Sequence, residues 1–150
     1  MKVYVASSWR NRHQQHVVGH LRDHGYSVYD FRNPEDGDRG FHWSEIDPDW
    51  QRWNTESYRA SLDHELARDG FQTDMEALED ADAVVLVLPC GRSSHLELGW
   101  AIGNGKHGLI LIPNSQQVEP ELMYKMATVC IDLGEVREEL ARRALCEKGR

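Results

Sequence analysis

The stretch 81–113 constrains this chain most. The run Ala83-Val84-Val85-Leu86-Val87-Leu88-Pro89 holds no polar residue, breaks into Cys90-Gly91-Arg92-Ser93-Ser94, and continues as His95-Leu96-Glu97-Leu98-Gly99-Trp100-Ala101. An apolar run without alternation, bounded by turn formers, reads as a strand covered on both faces, the habit of a parallel sheet between helix layers. A helix over 94–104 then starts in the polar loop and carries a carboxylate, Glu97, in its first turn. Helix N-termini favour acids whatever their role. In open α/β sheets, however, ligands bind beside such strand-to-helix turns, at the carboxyl ends of the strands. Glu97 is therefore a candidate crevice residue.

Apolar runs and helical periodicities alternate along the rest of the chain. Strands are expected over 2–6, 26–31, 83–88, 108–112 and 128–133. A first helix repeats Val17, Val18 and Leu21, with Ser7 or Ser8 as its cap and Gly25 as its stop. Further helices are expected through Tyr58, Leu62 and Leu66, through Phe71, Met75 and Leu78, over 94–104, and over 135–147. This order predicts an α/β, flavodoxin-like three-layer fold with a five-stranded parallel sheet, order 2-1-3-4-5, and right-handed crossovers. At 150 residues a single domain, 1–150, is expected.

Composition removes several function classes. The formal charge is −8, and no basic stripe offsets it, so polymeric nucleic acid is a poor partner. No segment approaches the roughly 20 apolar residues of a membrane span, and the chain moves directly into a strand without a leader, so a cytoplasmic protein is expected. The three cysteines, Cys90, Cys130 and Cys146, lack metal-ligand spacing and read as reduced. Neither a metal nor a cofactor is expected, and a small molecule is the favoured ligand.

The segment 32–53 is rich in turn formers, acids and tryptophan. Loops longer than about 12 to 15 residues are uncommon unless functional or disordered, and Phe41, Trp43, Trp50 and Trp53 argue against disorder. A lid over the strand ends is expected, with Asn33 and Trp43 as candidate substrate contacts; the alternative is that the aromatics plug the core edge or bury a subunit interface. A second wall is Ser7-Ser8-Trp9-Arg10-Asn11, after the first strand. Its hydroxyls and arginine suit an anion at a helix N-terminus, although no Walker or dinucleotide fingerprint is present. Trp9 suits stacking on a base or, one turn into a helix, plugging the core.

These residues resemble the nucleoside 2-deoxyribosyltransferase family, with its relatives that hydrolyse deoxynucleoside 5′-monophosphates. The resemblance rests on Val3-Tyr4-Val5-Ala6-Ser7-Ser8-Trp9, on Asp74 within Gln72-Thr73-Asp74-Met75-Glu76-Ala77-Leu78, on Ala81-Asp82, and above all on Leu96-Glu97-Leu98-Gly99-Trp100-Ala101 followed by Gly105-Lys106. It spans about two-thirds of the chain. The resemblance implies that Glu97 is the catalytic carboxylate, Asp74 an acid/base near the nucleobase, Tyr4 a hydroxyl orienting the glutamate, and Trp9 a base contact. Asp82 reads instead as a structural cap and Asp80 as solvent-facing.

Chemistry fits that division. Cleaving an N-glycosidic bond builds positive charge on the sugar and negative charge on the departing base, so one carboxylate faces the anomeric carbon while another group protonates the base. One departure from the family pattern stands out. The transferases carry an acid about six positions before the catalytic glutamate, where this chain has Gly91, followed by Arg92, Ser93 and Ser94. The family's monophosphate hydrolases also place serines there. A 5′-phosphate held by Ser7, Ser8, Gly91, Arg92, Ser93 and Ser94 at two helix N-termini is thus expected, the alternative being that Arg92 faces solvent and the serines cap the helix. Two other functions stay open: an NAD glycohydrolase resembling Toll/interleukin-1 receptor domains, and a non-catalytic nucleotide-binding module. The aromatic segment 41–53 and the stretch 119–124 lead to the expectation of a homo-oligomer, dimer or higher.

Overall fold

In the computed structural model, which describes residues 1–34, 37–113 and 117–148, five parallel strands form one sheet. They are β1 (Lys2–Ala6), β2 (Ser27–Asp30), β3 (Ala83–Val87), β4 (His107–Leu111) and β5 (Thr128–Cys130), in the order β2-β1-β3-β4-β5. Register pairs such as Val5 with Asp30, Val5 with Val85, and Val85 with Leu109 align the carboxyl ends of four strands, β2, β1, β3 and β4. Every residue of β3 is buried, as an unalternated apolar run requires when both sheet faces are covered. The helices are α1 (Gln14–Asp23), α2 (Thr55–Ser61), α3 (Glu65–Asp80), α4 (Arg92–Gly103) and α5 (Leu133–Lys148). The flavodoxin-like, three-layer expectation with order 2-1-3-4-5 is met.

The chain divides into two compact units, Met1–Asp30 with Leu78–Arg150, and Phe31–Ala77. The first holds the sheet. Val17, Val18 and Leu21 of α1 and Val136 and Leu140 of α5 pack with Val3, Val5, Val85, Val87, Leu109 and Leu111 on one face. On the other face α4 lies so close to β4 that a Cβ on Gly108 would sit 2.7 Å from Ile102 Cγ1. Helices α1 and α4 stop in the same way. Gly25 (φ 83°) and Gly105 (φ 77°) take the left-handed conformation that glycine adopts without Cβ strain. The next amides, of Tyr26 and Lys106, reach back to the Leu21 and Ala101 carbonyls at 3.2 and 3.0 Å, which is the Schellman arrangement. Asp82 braces the start of β1 by accepting the Lys2 amide at 2.7 Å, and Asp80 pairs with the Lys2 ammonium in solvent.

The second unit is built around aromatic rings. Trp43 meets Phe41, Trp53 and Tyr58 edge-on, with centroids 4.8, 5.6 and 5.9 Å away. Phe41 covers α3 at Gly70, where a Cβ would approach Phe41 Cβ to 2.9 Å. The Trp53 indole donates to Asp47 at 2.6 Å, which holds that carboxyl below its ordinary value. The segment expected at 32–53 lies within this unit, with residues 35 and 36 outside the described residues.

Several sequence expectations need correction. Neither Ser7 nor Ser8 caps the first helix, because α1 starts at Gln14 behind His13. The helix expected through Tyr58, Leu62 and Leu66 is two helices, since α2 ends at Ser61 and α3 begins at Glu65. Helix α4 opens at Arg92, two residues before the expected start at Ser94, so Glu97 stands in its second turn and the first turn is free of acids.

Candidate active site

The carboxyl ends of β1 and β3 are tied together by buried side chains. The Ser7 hydroxyl donates to the Val87 carbonyl at 2.9 Å. The Ser94 hydroxyl donates to the Ser7 carbonyl at 2.7 Å. Asn11 donates its amide to the carbonyls of Val87 and Pro89 at 2.9 and 3.0 Å, and its side-chain oxygen accepts the His13 amide at 2.7 Å. Carbonyls at strand ends would otherwise be buried without partners, at a cost of about 1 to 3 kcal/mol each. The two loops, 7–11 after β1 and 88–91 after β3, therefore share one polar scaffold.

Within it, the candidate residues divide by role. Ser7 and Ser94 are almost fully buried, and both hydroxyl protons are engaged by the backbone. They brace the loops. Ser8, Trp9 and Arg10 lie in a non-helical turn after β1, with Trp9 43% exposed; the expectation of Trp9 one turn into a helix is thereby corrected. Gly91 is the N-cap of α4, in extended conformation (φ −89°, ψ −170°) and without a side-chain cap. Arg92 and Ser93 follow it and are exposed. Helix α4 starts directly after the 88–91 loop, at Arg92, whereas α1 starts at Gln14, three residues past the 7–11 loop.

Glu97 is half-buried in the second turn of α4. Burial chiefly, with a small contribution from the Glu97 carboxylate, pushes the Cys90 thiol up to about 11. Tyr4 is fully buried in β1, its ring stacked on Tyr29 of β2 with centroids 5.0 Å apart. The remaining candidates belong to the second unit: Asn33 is exposed, Trp43 sits in the aromatic cluster, and Asp74 is half-buried on α3. The structure thus brings Ser7, Ser94, Gly91 and the turn 8–10 to one loop scaffold. Asn33, Trp43 and Asp74 are held by another unit.

Other polar residues of this edge carried no sequence signal. Asp30, 1% exposed at the end of β2, accepts from Gln14 at 2.7 Å and Gln15 at 2.9 Å. His95 lies 2.9 Å from the Tyr124 hydroxyl through Nε2, and 2.9 Å from the Gly91 carbonyl through Nδ1. Asn11 belonged to the candidate wall, yet its bracing role is visible only from its partners. Among the described residues no group of three or more His, Cys, Asp or Glu side chains is arranged to hold a metal ion, and no helix is long and apolar enough to cross a membrane.

No protein-family profile matches the chain, and no curated protein matches it. Among solved structures, it is similar to a 2-deoxyribosyltransferase from the psychrotolerant bacterium Bacillus psychrosaccharolyticus, with 21% identity and a TM-score of 0.58 over 91% of this chain and 90% of that one. A CMP N-glycosidase from Clostridium botulinum is similar at 15% identity and a TM-score of 0.48, over 88% of each chain. The chain accordingly has the flavodoxin-like fold of that deoxyribosyltransferase over nearly its whole length.

Proposed function

We propose that the protein cleaves the N-glycosidic bond of a 2′-deoxynucleoside or its 5′-monophosphate, by hydrolysis or by transfer of the deoxyribosyl group to another base. The observation that carries this reading is the placement of Glu97: half-buried, one helical turn beyond the loop that leaves the central strand β3. The fold shared with a deoxyribosyltransferase supports it. Glu97 attacks or stabilises the anomeric carbon as positive charge develops there. Asp74 protonates the departing base and later recovers the proton. Tyr4 orients Glu97, Trp9 faces the base, and Asn33 and Trp43 are further substrate contacts.

The 5′ end is the finer part of the proposal. Two serines of the expected phosphate cradle, Ser7 and Ser94, already donate to carbonyls. The donors facing an anion in this proposal are the first-turn amides of α4, the Ser93 hydroxyl and the Arg92 guanidinium, with Arg10 on the β1 side. First-turn amides lack intrahelical acceptors and sit at the positive end of the helix dipole. An acid at position 91 would oppose such a ligand, and Gly91 does not. Arg92→Ala is therefore expected to raise KM for the monophosphate about tenfold, the effect of losing a charge-assisted hydrogen bond, and to leave the nucleoside unaffected. Equal activity on both substrates, unchanged in this variant, would return the protein to nucleoside transfer, with transfer to a second base outrunning hydrolysis.

Asp74 is tested through the leaving group. Asp74→Asn should slow release of poorly leaving bases more than release of electron-poor ones, and uniform slowing would remove it from proton delivery. Base release from NAD alone would favour the glycohydrolase reading, and nucleotide binding without turnover the non-catalytic one.

A further inference from the structure

We propose that Tyr124 and His95 act as a positioning pair that holds the Gly91 end of the 88–91 loop and so tunes the preference for a phosphorylated over a neutral 5′ group. The inference rests on the active-site reading above.

His95 is the fourth residue of α4, and both its ring nitrogens are engaged. Nδ1 lies 2.9 Å from the Gly91 carbonyl and Nε2 lies 2.9 Å from the Tyr124 hydroxyl. A carbonyl only accepts, so Nδ1 carries the proton of the neutral ring. Nε2 is then an acceptor, and the Tyr124 hydroxyl donates to it. One tautomer is selected. The two rings also lie near parallel, at 16° with centroids 5.8 Å apart. A histidine with both nitrogens bonded in this way is not a proton donor to a departing base. It acts through what it holds.

What it holds is the N-cap carbonyl of α4, which also accepts the first intrahelical bond. A Cβ on Gly91 would meet nothing within 4 Å, so no neighbouring side chain fills the space beside this residue. Cys90 lies 3.7 Å from His95 Nδ1. The polar chain Tyr124–His95–Gly91 adds a restraint from outside the helix, and it is anchored far along the sequence. Tyr124 sits in a 3₁₀ turn, Leu122–Met126. Its amide and carbonyl are tied to Glu121 and Ala127 at 3.3 and 3.0 Å. Its ring lines a groove of about 320 Å³ with Ile112, Pro120 and Val129. Burial, with smaller contributions from Cys90, Glu121 and Glu119, holds its phenol above the ordinary value, so the hydroxyl stays a donor.

Directional amides matter more to an anion than to a neutral hydroxyl. Tyr124→Phe should therefore raise KM for a deoxynucleoside 5′-monophosphate about three- to tenfold, as expected for one hydrogen bond. It should leave kcat within about twofold and KM for the matching deoxynucleoside unchanged. His95→Phe should reproduce this pattern, His95→Gln, which can donate and accept, should restore most of it, and the double variant His95→Phe/Tyr124→Phe should be no worse than either single one. Long-range ¹⁵N–¹H spectra of the imidazoles should show a proton on His95 Nδ1, and Tyr124→Phe should shift its Nε2 resonance. Equal losses on both substrates, additive losses, or an Nε2 resonance untouched by Tyr124→Phe would overturn the pair. A wild-type protein that turns over neither substrate would overturn the functional reading and the tuning role with it, while the imidazole spectra would still decide whether the pair exists.

Discussion

Cys90 occupies the position beside Glu97 where a nucleophilic thiol is easily imagined, and its surroundings argue against one. Burial, with the carboxylate nearby, pushes its pKa up to about 11, so the reactive thiolate is scarce near neutral pH. Cys90→Ser should keep turnover within a few-fold. Alkylation followed by mass spectrometry should label the exposed Cys146 well before Cys90, and faster labelling of Cys90 would show that the thiol is activated. Residue identities at this edge were legible: Ser7 and Gly91 fall on loops that leave strands, and Ser94 and Glu97 on the helix that follows. Their engagements were not. The bonds of Ser7 and Ser94 span 80 and 87 residues of sequence, and that of His95 with Tyr124 spans 29. No local spacing encodes such pairs.

Strands were read to within a few residues because unalternated apolar runs have few other uses in a chain of this size. Helix starts were read less well, for a physical reason. His13 and Gly91, which precede α1 and α4, offer no side-chain cap, so the serine signals at 7, 8 and 94 drew the boundaries to the wrong places. Helix stops carry glycine and were found. The element on which the site depends most is α4, and its seat is Gly108. Gly108→Ala would press on Ile102 and on Leu98, whose Cδ1 would be 3.1 Å away, costing about 1 to 3 kcal/mol as overpacking does. Denaturant titration should show that loss, and kcat should fall with it as α4 shifts. Unchanged stability would mean that the helix is not seated there. Lys106→Met should cost about 1 to 2 kcal/mol, because its ammonium holds the Glu79 and Ala81 carbonyls at the end of α3, at 2.6 and 2.7 Å.

For the molecule as a whole, pH acts through α1. Burial, then the charges of His24, Arg137 and His16, lower the pKa of His20 below its ordinary 6.5, outweighing Asp23. The folded state therefore binds this proton less readily than the unfolded one. Stability is full above 6.5 and is lost as pH falls through the lower folded value. The melting temperature should drop between about pH 7 and pH 5, the range in which histidine titrates, and His20→Gln should remove part of the drop; an identical profile in the variant would place the titration elsewhere. Exposed Val118, Leu122, Met123, Met126, Val129 and Ile131 motivate the proposed homo-oligomer, which light scattering at micromolar concentration would contradict by finding a monomer. The central claim concerns Glu97. The most direct test is chromatography of a 2′-deoxynucleoside, its 5′-monophosphate and NAD after incubation with wild-type protein and with Glu97→Gln. The account predicts free base from a deoxynucleoside or its monophosphate, and a loss of more than about 10²-fold in the folded variant; base release at the wild-type rate by Glu97→Gln would contradict it.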